Sequence, residues 1–415
     1  MQLPSSIFVF EDNDVRVSQA TIEELDGLKN AGGERGYSAR NAIRAIYSLR
    51  EKGDITKGVD LPLGGSFSVV ENAKTSDGQK NDDVIIATAK KLDAILVTND
   101  VGMILKADIQ NVKTELFRNE QVSDEDIGYT GRRMVHIDDA LIDCLYESKY
   151  LGSDIAKNLT PNEFLILKGK DEENKAALAC YNAKANRVEL LRNAEMEVPA
   201  LFKPKNAGQR FAVKALNEPV ENVPLVVIRG AAGTGKTMAA LAVGLNGVQK
   251  GLYKKILLLR PNVKFDDDIG FLPGTEFDKI EPLLRPFKDN LEALMPNKKE
   301  PARDIEMMFA KGTLRAESLA YIRGRSIADT YIIVDEAQNA TPLQMKSIIT
   351  RAGAGSKIVV LGDPAQIDNP KLNMRTNGLV YAAAKMRGSN LCMQLVLDDT
   401  ECVRCPLALD AVKRL

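Results

Sequence analysis

Between Val226 and Ala242 the sequence reads VVIRGAAGTGKTMAALA, an apolar β-branched run that meets a glycine loop and passes into an alanine-rich helical pattern. Strand, glycine loop and helix in that order form a cradle for phosphates. Gly230, Gly233 and Gly235 let backbone N–H groups turn inward around a diphosphate in conformations that a side chain would block. Ala231, Ala232 and Thr234 complete the loop. Lys236 is spaced to reach the β and γ phosphates and Thr237 to offer its hydroxyl to Mg²⁺, while Met238 lies in the first turn of a helix whose N-terminus adds partial positive charge. The bland alternative is a glycine turn with no ligand. The flanking strand and helix weigh against it.

Two more runs end in polar chemistry. Tyr331-Ile332-Ile333-Val334 leads into Asp335-Glu336-Ala337-Gln338, the pattern of a buried parallel strand with its C-terminal edge at a ligand. Asp335 is expected to hold Mg²⁺ through its water shell and Glu336 to orient or deprotonate the attacking water. Two unpaired acids after a buried strand would otherwise cost several kcal/mol. Lys357–Leu361 runs into Gly362-Asp363-Pro364-Ala365-Gln366, where Gln366 is a candidate sensor of the γ-phosphate. Upstream, Gln209 opens a capped helical pattern, NAGQRFAV, where its carboxamide could pair with N6 and N7 of adenine and so select ATP.

The elements that must position these residues fall into three segments. Residues 1–135 alternate strands, such as Ile7-Phe8-Val9-Phe10 and Ala94–Thr98, with helical patterns over Ala39–Arg50 and Asp83–Leu92. Acids cluster at element ends there: Glu23-Glu24-Leu25-Asp26, Asn81-Asp82-Asp83 and Asn99-Asp100. They read equally as carboxylates converging on a divalent metal for phosphodiester hydrolysis or as helix caps. Residues 136–204 carry three strand-like runs, Glu163–Leu167, Ala176–Tyr181 and Val188–Leu191, and read as a small β connector. Residues 205–415 hold the ATPase motifs. The fold class expected is α/β, with a P-loop domain built on a mostly parallel sheet.

Beyond the motifs stand two resemblances. TIEELDGLKN and NDDVIIATAKKLDAILVTNDVGMILKA resemble a PIN domain, which implies that Glu24, Asp83 and Asp100, with Asp82 as a substitute, bind Mg²⁺ or Mn²⁺ for RNA cleavage. The family's opening strand, of Val-Leu-Asp-Thr-Asn type, has no counterpart at Met1-Gln2-Leu3-Pro4, so that site is expected to be incomplete and the chain not to cleave RNA. The runs LLLRPNVKFDDDIGFLPG, KIEPLLRPFKDNL, AYIRGRSIADTYIIVDEAQNATPLQMKSIITRAGAGSKIVVLGDPAQID and CVRCPLA resemble the PhoH-like ATPases, relatives of superfamily-one helicases. PIN–PhoH fusions share this layout, which implies ATP-dependent RNA unwinding and a ring-shaped, hexameric homo-oligomer. By the same resemblance Arg404 matches an arginine finger, with Arg351 as a second candidate.

Composition bounds the rest. A net charge of −1 leaves nucleic-acid binding to local basic surfaces. Arg260, Lys264, Arg323, Arg325, Lys346 and Arg351 are candidates for single-stranded RNA phosphates, and with no tryptophan, stacking falls to residues such as Tyr321 or Phe265. Five cysteines and one histidine, His136, do not complete a zinc site around Cys402 and Cys405. No apolar run reaches the ~18 residues of a membrane span, and the expectation is a cytoplasmic protein. Two rival functions remain open: a nucleotide-switched factor that binds RNA or protein without unwinding, and a small-molecule kinase.

Overall fold

The computed structural model describes residues 6–10, 12–31, 33–62, 64–74, 78–117, 121–172, 174–198, 201–261, 276–296, 298–319, 326–370 and 372–402. Contacts divide the chain into a first unit, Met1–Glu120, and a second that takes in Gln121–Lys264 and Leu272–Leu415. Lys264, Phe265, Tyr321, Arg323, Arg325, Arg404 and Cys405 lie outside the described residues.

The first unit is α/β. It contains β1 (Val15–Ser18), α1 (Gln19–Leu28), α2 (Gly33–Arg50), β2 (Val59–Asp60), β3 (Ser66–Val70), α3 (Asn81–Lys91), β4 (Leu96–Val97), α4 (Val101–Ile109) and β5 (Thr114–Glu115). Strand β3 is central to one sheet, parallel to β1 and antiparallel to β2, and β4 pairs with β5 in parallel. Ile7–Phe10, expected as a strand, instead begins with a 3-10 turn at Ser6–Phe8. Asn13 closes a turn on the Phe10 carbonyl with both its backbone and side-chain N–H groups, so extended structure starts only at β1. Helix α3 starts earlier than its apolar run suggests, at Asn81, and its N-cap is Lys80.

The second unit begins with α5 (Asp124–Gly128), β6 (Arg132–Ile137), α6 (Asp139–Ser148), β7 (Tyr150–Gly152), β8 (Phe164–Gly169), β9 (Ala176–Asn182) and β10 (Arg187–Leu190). These strands form one sheet in the order β6-β8-β9-β10-β7, so β6 runs across the boundary that composition placed at residue 136. The sheet is also larger than its three apolar runs suggested, because β6 and β7 are half-polar strands with only Ile137 fully buried between them. Phe164 on β8 stacks on Phe211 of α7 (Ala207–Asn217) at 4.6 Å between ring centroids, inside one continuous apolar core.

Next come β11 (Leu225–Gly230), α8 (Lys236–Gln249), β12 (Lys255–Arg260), α9 (Glu276–Ala293), α10 (Pro301–Ala310), β13 (Leu314–Ser318), β14 (Thr330–Val334), α11 (Pro342–Ile349), β15 (Lys357–Gly362), α12 (Gly378–Met386) and β16 (Cys392–Leu397). The six strands lie in the order β13-β12-β14-β15-β11-β16, and every pairing is parallel. Continuous apolar runs become parallel strands because both faces are covered. Along β14, Tyr331 and Ile333 enter the core beneath α8 and α9, while Ile332 and Val334 enter the core beneath α11 and α12. The residues of β11, β12 and β15 alternate in the same way.

Helix α7 is anchored at its far end by Lys357, which is fully buried and donates to Ala215 O at 3.1 Å and Glu218 O at 2.6 Å. Burial pulls that ammonium down to about 7. Helix α8 packs tightly on β14 because Gly244 has no side chain: a Cβ there would lie 2.8 Å and 3.0 Å from ring carbons of Tyr331, itself wedged edge-on against Tyr253. Alanine in a helix interior normally gains about 1 kcal/mol over glycine. At Gly244 the overpacking is expected to win, so Gly244→Ala should destabilise the second unit by about 1–3 kcal/mol. Denaturant unfolding at unchanged slope would register this as a lower midpoint, and a raised midpoint would refute it.

Candidate nucleotide site

Because the sheet is all-parallel, β11, β14 and β15 deliver Gly230, Asp335 and Asp363 to one edge, the edge where α/β proteins bind ligands. Between β11 and α8 the loop turns with Gly230 at φ 151°, Gly233 at 86° and Gly235 at 90°, conformations that L side chains rarely adopt. Thr234, fully buried, ties the loop to itself through Oγ1 to Ala231 O at 2.9 Å. Lys236 is 8% exposed, and its Nζ donates to Gly230 O at 2.5 Å and Ala231 O at 2.8 Å, which stores the ammonium at the mouth of the loop. Ala232 O accepts from the Cys402 thiol at 3.6 Å, and Met238 packs against the core beneath the loop.

Thr237 Oγ1 lies 3.3 Å from each carboxylate oxygen of Asp335. Asp335 is 7% exposed, and burial together with the neighbouring Glu336 charge pushes its carboxyl up to about 6, against the pull of Arg260 and Lys236. A buried acid held above its ordinary range beside a hydroxyl is deficient in positive charge. A divalent cation supplies that charge, and the two side chains present oxygen donors of the right hardness, so Thr237 and Asp335 fit a Mg²⁺ site.

Glu336 is set apart by its backbone, at φ 53° and ψ 37°. A left-handed conformation in a residue with a Cβ costs of order 1 kcal/mol or more and persists only where surroundings hold it. Gln338 does the holding. It is fully buried; its Nε2 donates to Glu336 Oε2 at 2.6 Å and to Gln366 O at 2.8 Å, while its Oε1 accepts from Asp363 N at 3.1 Å. One carboxamide thus joins the acid after β14 to the turn after β15. Asn339 adds a second tie, with Oδ1 accepting from Asp368 N at 2.8 Å and Asn369 N at 3.2 Å. Sequence reasoning named neither as a site residue. The signal was a run of four polar residues, interrupted only by Ala337, directly after an apolar strand.

Several candidates stand differently from expectation. Gln209 is 2% exposed; its Nε2 donates to Thr234 O at 3.0 Å and its Oε1 accepts from Lys205 N at 2.8 Å. Its amide therefore braces the phosphate loop, and pairing with adenine would require both bonds to be exchanged. Arg260, grouped with RNA contacts, points at the site instead, with Nη2 3.4 Å from Glu336 Oε1. The Gln366 carbonyl is used, and the residue is exposed. Lys346 is exposed on α11, and Arg351 follows that helix half-buried.

In the first unit the three acids expected at a metal site do not converge: among the described residues no group of three metal-ligating side chains exists. Glu24 is exposed on α1. Asp100 caps α4, accepting from Met103 N at 3.1 Å. Asp82 and Asp83 share the Lys106 ammonium, at 3.2 Å and 3.4 Å. Lys106 thus occupies the electrostatic position that a cation would take, and the described donors do not fit one.

The family profile described as PhoH-like protein matches residues 201–415, and a PIN-domain profile matches residues 1–118. Protein PhoH2 of Bacillus subtilis (strain 168) is 36% identical over 409 residues, which cover 94% of this chain and 92% of the relative. Protein PhoH2 of Thermobispora bispora is 30% identical over 425 residues, covering 98% and 92%. A PhoH-like protein of Bacillus subtilis (strain 168) is 37% identical over 256 residues, 60% of this chain and 77% of its own length.

The Gln338 network generates a direct expectation. Gln338→Ala should lower ATP turnover by about 10²-fold, the scale of a reacting group displaced by about 1 Å. Affinity for Mg·ATP should change little, since Lys236 and Thr237 are untouched. Equal turnover in variant and wild type would show that Gln338 only packs.

Proposed function

This chain belongs to the PhoH-like protein family and carries a PIN domain ahead of its P-loop domain, and from that membership we propose that it hydrolyses Mg·ATP to remodel single-stranded RNA. The observation that carries the ATPase reading is the contact of Thr237 with a buried Asp335, beside a Glu336 held by Gln338 at the same strand edge. Lys236 leaves its loop carbonyls for the β and γ phosphates, exchanging neutral acceptors for charged ones. Thr237 and Asp335 would hold Mg²⁺, which when bound would supply positive charge against the phosphates. Glu336 accepts a hydrogen bond from the attacking water, and Gln366 reports the γ-phosphate through the turn that Gln338 ties down.

RNA is the substrate proposed because the family resemblance supplies unwinding as the use of such a motor. A hexameric ring is proposed for the same reason, with Arg404 of a neighbouring copy stabilising transition-state charge. For the PIN-type segment we infer little or no nuclease activity, supported by the Lys106 ammonium shared between Asp82 and Asp83.

The experiment is ATPase rate with and without single-stranded RNA. A motor should be stimulated several-fold; a rate indifferent to RNA favours a nucleotide-switched binding factor. Glu336→Gln should retain bound ATP while turnover falls by about 10² or more, and rapid release of phosphate from that variant would remove Glu336 from the chemistry. Purified protein with Mn²⁺ should leave a single-stranded oligoribonucleotide intact; cleavage that disappears in Asp83→Asn would overturn the inference of an inactive nuclease.

A further inference from the structure

We propose that the groove between the small sheet and α7 is a single-stranded RNA site wired to the phosphate loop; this rests on the RNA reading above. The groove encloses about 500 Å³. Leu178, Leu190 and Met196 form its apolar floor, and Arg192, Lys205 and Arg210 supply charge with no carboxylate among the lining residues. Arg192 is paired with Glu195, whereas Lys205 and Arg210 are exposed and carry no ion pair among the described residues. At the rim Tyr146 is 49% exposed, and its hydroxyl donates to Ala176 O at 3.0 Å, which fixes the ring in place.

Cations around an apolar floor with a fixed aromatic edge match what a single strand offers: phosphates on one side and a flat base on the other. The volume suits a base and its sugar and excludes a duplex. In a chain of net charge −1, Lys205 and Arg210, exposed and without an ion pair among the described residues, form a local basic surface that bulk composition hides.

The wiring is short. Lys205, which lines the groove, gives its backbone N–H to Gln209 Oε1, and Gln209 Nε2 holds Thr234 O of the phosphate loop. A strand that draws Lys205 and Arg210 toward its phosphates therefore pulls on the residue that braces the nucleotide loop.

The test compares Lys205→Glu/Arg210→Glu with Lys250→Glu/Lys311→Glu, an equal change of net charge at exposed lysines outside the groove. The probes are a fluorescently labelled oligouridylate for RNA and a fluorescent ATP analogue for nucleotide. The groove variant should bind RNA tenfold or more weakly, and its salt slope should flatten by roughly 0.7 for each phosphate that is no longer neutralised. RNA stimulation of the ATPase should disappear. If wild type binds no oligouridylate, the RNA reading itself fails. If wild type binds and the groove variant matches the control, the groove alone is refuted. A parallel fall in affinity for the ATP analogue would reassign the groove to the nucleotide's own base. Displacement of the probe by polyglutamate as readily as by polyuridylate would show an acidic-peptide site instead.

Discussion

A hydroxyl and a carboxylate 3.3 Å apart, Thr237 in the first turn of the helix after β11 and Asp335 just past β14, follow strands that are not neighbours: β15 lies between β11 and β14. Their meeting depends on parallel alignment of all three strands, because only then do the residues that follow each strand emerge at one edge. The alignment depends in turn on side chains that alternate between two apolar cores, so a register slip of one residue would send each side chain into the other, differently packed core. The chemistry at the edge is thus a consequence of burial along the strands. Tyr331 sits at the centre of that arrangement, fully buried, with Gly244 permitting the helix above it to close.

Two polar side chains extend this alignment beyond the strands. Gln338 ties the end of β14 to the turn after β15, and Glu401 does comparable service at the other flank of the loop. Glu401 takes both Arg132 guanidinium nitrogens, at 2.8 Å and 2.7 Å, and the Gly208 N–H at 2.8 Å, so a residue just past β16 links the small sheet to the first turn of α7. Burial opposes its ionisation, but the Arg132 pairing prevails and its carboxyl stays below the usual range. Joined to the core by the Phe164–Phe211 stack, the small sheet shares mechanical continuity with the phosphate loop.

Much of this was legible in the residue order, for identifiable reasons. Parallel strands buried on both faces write themselves as continuous β-branched runs, and a phosphate loop needs glycine at fixed offsets, so β11, β14, β15 and the loop could be located from residue order alone. The cap of α7 by Asn206 was legible too, since its Oδ1 meets Gln209 N within three residues. What failed to show were pairings at long range. Residue order does not show that Gln209 Nε2 meets Thr234 O or that Arg260 stands before Glu336. Short half-polar strands such as β6 and β7 carry no periodicity of their own. They become strands because β8 and β10 offer edges to pair with.

The two groups of acids show why residue type alone does not decide between structure and chemistry. Asp82 and Asp83 stand at the start of α3, half-exposed, and the lysine within reach neutralises both. Asp335 is buried, and the nearby protein cations are committed: Lys236 to loop carbonyls, and Arg260 to Glu336. Burial raises the cost of leaving Asp335 charged, and the unmet demand appears as a carboxyl raised to about 6. The same carboxylate chemistry therefore gives a neutralised helix start in one unit and a buried carboxyl raised above its ordinary range in the other, and the difference is set by where the nearest lysine is already engaged.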